Sequence, residues 1–62
     1  MNTIQKAKKM IGYEIKNCEM NIKTYEEMIK KGFQEEFFRN EINLMKEKIK
    51  ILEETKLALD YY

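Results

Sequence analysis

Along the first half of the chain, apolar residues recur on two seven-residue ladders: Ile4, Ile11, Cys18 and Tyr25 on one, and Ile15, Ile22 and Ile29 on the other. The ladders are neighbouring d and a positions of a single heptad frame. Together they form a stripe about 100° wide, the width one helix buries against a neighbour in a small bundle. Asn2 followed by Gln5 has the form of a capping box, which starts the helix near Thr3. Carried past Gly32, the same frame would put Glu36, Arg39, Asn43, Lys46, Lys50 and Glu53 in the core. All six are polar, so one continuous rod is excluded. The second half has its own frame, with Phe38, Met45, Leu52 and Leu59 on one ladder, Ile42 and Ile49 beside it, and Phe37, Leu44, Ile51 and Ala58 on the other side.

A change of frame at a glycine means two helices. Gly32 suits the position just past a helix end, where the backbone turns left-handed and a side chain is costly. Lys30 and Lys31 before it, and Glu35 and Glu36 after it, complement the dipoles of a helix that ends and a helix that begins. The predicted architecture is all-α: one domain over 1–62, with a helix over 3–31, a turn near Gly32 and a helix over 34–59. At 1.5 Å per residue each arm is roughly 40 to 45 Å long, and so short a connection makes the arms antiparallel. Counting outward from the turn sets Ile29 against Phe37, Ile22 against Ile42 to Leu44, Ile15 against Ile49, and Ile11 against Leu52. Outward-facing ion pairs are expected at four-residue spacing: Glu19 with Lys23, Glu26 with Lys30, Glu27 with Lys31, and Glu35 with Arg39. Gly12, inside the first helix, reads as a close helix contact or a tolerated weak point.

Two helices leave apolar surface over. The second is apolar round nearly half its circumference, interrupted by Glu41, Lys48 and Thr55, and one partner helix covers only part of that. A second copy of the hairpin is the simplest cover, giving a homodimeric antiparallel four-helix bundle. The alternative cover is a different protein docked on an amphipathic surface. The expected partner-binding residues are Met10, Tyr13 and Met20 on the first helix, where methionine suits an adaptable contact, and Phe37, Leu44 and Ile51 on the second. Tyr61 and Tyr62 extend past the second helix as a tail.

Charge divides these options further. The net charge is only +1, which argues against broad attraction to nucleic acid. Its distribution is uneven, with seven lysines against four glutamates in residues 1–31. Lys9, Lys16, Lys23 and Lys30 recur every seven residues as a stripe on the outside of the first helix, with Lys6, Tyr13 and Asn17 close by. Lysines about 10 Å apart along a helix can reach successive phosphates. In length and layout the chain resembles the Rop type of RNA-binding homodimer, whose exposed first-helix face grips paired RNA loops. That resemblance assigns Asn2, Lys6, Lys9, Tyr13 and Asn17 to RNA contact, and Lys16 and Lys23 extend the same stripe. The chain is also similar in size and charge to the helical-hairpin aspartyl-phosphate phosphatases of low-GC bacteria. However, "FFRNEINLM" lacks the serine and the aspartate of their SQELD motif, so their activity is not carried over.

The sequence carries little chemistry. Histidine is absent and there is one cysteine, which excludes an internal disulfide, a zinc ligand set and a histidine-bearing di-iron site. Cys18 falls on the core ladder and reads as a small buried thiol. The glutamate pairs 26–27, 35–36 and 53–54 are adjacent and therefore diverge on a helix. No cofactor or metal is implied, and no catalytic residue is assigned. No run approaches the roughly 18 apolar residues of a membrane span, and "MNTIQKAKKM" lacks the apolar stretch of a signal peptide. Together with lysine, isoleucine and asparagine usage typical of an A+T-rich genome, these features lead us to expect a small cytoplasmic, non-enzymatic regulator or adaptor of phage or low-GC bacterial type. It would bind itself and another protein but no membrane, with RNA binding as the alternative.

Overall fold

The computed structural model describes residues 2–61, which form two helices, α1 (Thr3–Lys30) and α2 (Glu35–Leu59), packed against each other as a hairpin. Its principal extents are 45 × 17 × 10 Å, the dimensions of a single layer of two helices. α1 begins where the capping residues put it: the Gln5 backbone N–H donates to Asn2 Oδ1 at 2.8 Å, satisfying one of the free donors of the first turn.

The turn is a Schellman closure. Lys31 is the last residue with helical backbone, and Gly32 follows at φ +83°. The Gly32 N–H donates to the Ile29 carbonyl at 2.9 Å and the Phe33 N–H to the Met28 carbonyl at 3.0 Å. Phe33 and Met28 line one depression with Phe38, the apolar contact that accompanies this motif. Gln34 then enters α2 with φ 31° and no side-chain cap, so the second helix starts without the help that Asn2 gives the first. Glu35 and Glu36 in its first turn supply the charge the dipole favours. Each helix is one residue shorter at the turn than the periodicity predicts, because Lys31 and Gln34 serve as the flanking caps.

The seam between the helices follows the two predicted frames. Cys18 and Ile42 are the buried side chains among the described residues, and Ile4, Ile11, Ile15, Ile22, Tyr25 and Ile29 of α1 and Phe38, Met45, Ile49, Leu52 and Leu59 of α2 are half-buried around them. Near the turn, Tyr25 stacks on Phe38 with ring centroids 5.4 Å apart. This corrects one pairing: Phe37, expected opposite Ile29, stands half exposed with its ring edge-on to Phe38 at 5.2 Å. Adjacent residues on a helix point about 100° apart, so only one of the two phenylalanines can enter the seam, and Tyr25 holds Phe38.

Among the described residues, two ion pairs join the two arms of the hairpin. Lys48 Nζ donates to Glu14 Oε1 at 2.7 Å near mid-length, and Lys8 Nζ lies 2.6 Å from Asp60 Oδ1 at the open end. Of the four pairs expected along the helices, Glu35 with Arg39 forms, at 2.7 Å. The other three are not ion-paired among the described residues. Exposed long side chains gain little from closing such pairs, so solvation wins there.

The two glycines are steric opposites of what a contact would require, since a Cβ at either meets no atom within 4 Å. Gly12 is therefore a weak point in α1, not a close approach, whereas Gly32 is held by its positive φ. The same change then has opposite signs: Gly12→Ala raises stability by about 1 kcal/mol and Gly32→Ala lowers it by about 1 kcal/mol or more. Urea unfolding of the two variants followed by circular dichroism checks both.

Candidate partner-binding surface

The six residues expected to bind a partner are all exposed, and the structure sorts them by position on the helix. Phe37, Leu44 and Ile51, one heptad apart, are 52%, 58% and 60% exposed and form a straight row along α2 beside the seam. Met10, at 70%, lies one residue before Ile11, about 100° from the seam direction. Tyr13 and Met20 lie two residues beyond the seam residues Ile11 and Cys18, roughly 200° round α1. They therefore point away from α2. The expected patch is two surfaces: a row beside the seam and a pair on the back of α1.

The lysines join the second surface. Lys9, Lys16 and Lys23 alternate with Tyr13 and Met20 at spacings of three and four residues, so cations and apolar side chains interleave along the back of the helix. Lys6, Lys9, Lys16, Lys23, Asn2 and Asn17 are exposed, and none of these four lysines is paired with a carboxylate among the described residues. Lys30 ends the stripe in the last turn of α1. Leu57, 58% exposed, belongs to neither surface. Tyr61 is 86% exposed, and Tyr62 lies outside the described residues.

Sequence reading missed Glu14 and Lys48. Lys48 appeared only as an interruption of the apolar side of α2, between Leu44 and Ile51. In three dimensions it reaches across to Glu14, so the Lys48 charge is neutralised within the chain, while Glu41, the other charge in that strip, is not ion-paired among the described residues. Hydrogen bonding from Lys48 and its positive charge hold the Glu14 carboxyl below its usual 4.5, with Asn17 assisting, and the same contact raises Lys48 above 10.5. No heptad argument finds this pair, because it depends on the rotation of one helix against the other.

Near the turn, the groove between the helices is lined by Glu26, Arg39, Asn43 and Lys46 over Ile29 and Ile42. Among the described residues, no three acidic, thiol or imidazole groups stand close enough together to hold a metal ion. No helix is long and apolar enough to cross a membrane.

The Glu14–Lys48 pair has a pH signature. A carboxyl whose folded pKa is lowered adds stability above its unfolded value, and that contribution is lost as the pH falls through the folded value. An ammonium with a raised pKa adds stability below its unfolded value, lost as the pH rises past the folded one. Thermal unfolding of the wild type should therefore lose more stability on acidification below 4.5 than that of Glu14→Gln. Calorimetric melts across the acid range measure the difference, and parallel pH profiles would mean the bridge contributes nothing.

No family model matches the chain, and neither a curated protein nor a solved structure matches it significantly.

Proposed function

We propose that this chain is a non-enzymatic regulator or adaptor of the cytoplasm that works by binding through its helix surfaces, first to another copy of itself as a four-helix bundle and then to a different protein. One observation carries the reading. Among the described residues, the hairpin buries only Cys18 and Ile42, while nine large apolar side chains stand more than half exposed. A surface of that kind on a chain this small marks association with other chains. The absence of histidine and the divergence of the carboxylates support a role by occupancy of a partner's surface and not by chemistry.

The lysine stripe favours a second reading. Lys6, Lys9, Lys16 and Lys23, exposed, interleaved with Tyr13 and without an ion-pair partner among the described residues, suit the phosphates of a structured RNA. The net charge of +1 ranks this reading second, because the whole molecule offers little long-range attraction to a polyanion.

Gel filtration with light scattering on protein purified without nuclease, recorded at 260 and 280 nm, separates the two. The protein-binding reading predicts a dimer with a protein-like absorbance ratio. It also predicts that Lys9→Gln, Lys16→Gln and Lys23→Gln together leave partner capture intact. A nucleic-acid-like ratio that collapses in high salt, and is abolished by the triple substitution, would reverse the ranking.

A further inference from the structure

The two broad faces of the hairpin are chemically unlike. The Glu14–Lys48 bridge marks one of them: Met10 lies one turn before Glu14, and Leu44 and Ile51 flank Lys48 at four and three residues. Met10, Leu44 and Ile51 therefore share this face with Phe37 near the turn; the Glu14 and Lys48 charges among them neutralise each other at 2.7 Å, and Glu41, between Phe37 and Leu44, is the charge on this face without an ion-pair partner among the described residues. The opposite face is mostly charged, lined by Glu26, Arg39 and Lys46 toward the turn and by Glu53, Lys56 and Asp60 toward the open end, with the single exposed Leu57 among them. Surface area gives the amount still to be covered. A folded monomer of 7.6 kDa exposes about 4,300 Å² by the usual scaling with mass, and this hairpin exposes 5188 Å². The excess of roughly 900 Å² matches the about 800 Å² that each partner contributes to a standard interface.

Resting on the self-association proposed above, we infer that the second copy packs on the Phe37, Leu44, Ile51 and Met10 face through a two-fold axis that crosses the helices near the Glu14–Lys48 bridge, so the two turns lie at opposite ends of the bundle. The orientation follows from side-chain size. The turn end of this face is bulky, with Phe37, Phe33 and Met28, and the open end is small, with Ala58, Thr55 and Ala7. With turns at opposite ends, α2 runs antiparallel to its copy, Phe37 lies over Ala58 of the second copy, and Leu44 lies over Ile51. With turns together, bulk meets bulk at one end and a gap opens at the other, which close packing disfavours. Tyr13, Met20 and the lysine stripe, on the back of α1, stay outside the bundle for another partner.

Light-scattering masses of full-length variants test the face. Wild type and Tyr13→Lys/Met20→Lys are expected at twice 7.6 kDa, and Leu44→Lys/Ile51→Lys at 7.6 kDa. Both α2 positions are exposed in the hairpin, so lysine there removes nothing from its seam. A wild-type monomer at all concentrations would remove self-association itself. A dimer that survives the Leu44/Ile51 change, or is lost through the Tyr13/Met20 change, would overturn the face while self-association stands. Nitroxides on Lys31→Cys, with the buried Cys18 thiol sheltered, test the orientation in an otherwise wild-type dimer, even if the lysine variant fails to fold. A separation near the 45 Å length of the hairpin supports opposed turns, and one near its 17 Å width overturns them.

Discussion

Two helices laid side by side touch along a single line, and that constraint governs this molecule. A line of contact buries the centre of the seam, here Cys18 and Ile42, and leaves the other apolar side chains of residues 2–61 at least partly in water. At about 25 cal/mol per Å², half-buried isoleucines return only part of what full burial gives, while the conformational entropy lost on ordering each residue is undiminished. The hairpin therefore concentrates its determinants at a few points. These are the Asn2 cap, the Schellman turn at Gly32 and the Tyr25–Phe38 stack that closes the seam beside the turn, with two exposed bridges joining the arms farther along.

The same constraint links fold to function. A layer one helix thick has two faces and two edges, all of them surface, so almost every side chain is available for contact. What distinguishes one region from another is chemistry. One face is apolar with an internally neutralised ion pair, the other is mostly charged, and the back of α1 interleaves lysines with a tyrosine and a methionine. On the proposed reading, recognition is by surface pattern, and each pattern is assigned to a partner by area, size and charge complementarity.

Much of this was legible in the sequence, for identifiable reasons. The break at Gly32 could be read because a seven-residue frame carried across it turns wholly polar, and only a new helix restores an apolar stripe. Helix ends were legible to within one residue because Asn2, Gly32 and the flanking charges each have a specific local job. The choice between Phe37 and Phe38 was not, since both lie within reach of the seam and the decision belongs to Tyr25 on the other helix. The Glu14–Lys48 and Lys8–Asp60 bridges were also hidden: they depend on the rotational setting of two helices, which no single-helix periodicity encodes. Three of the four predicted intrahelical pairs did not form because exposed lysines lose little by staying solvated. The six candidate contact residues are exposed, and their division between two surfaces needed the third dimension.

On the proposed reading, a single hairpin is an incomplete folding unit. The most direct measurement is thermal unfolding by circular dichroism over a roughly hundredfold range of protein concentration, because association that stabilises only the folded state raises the midpoint as concentration rises. The account predicts a midpoint that climbs steadily with concentration and a transition that stays cooperative. Superimposable cooperative melts across the range would contradict it, showing that one layer of two helices is sufficient on its own.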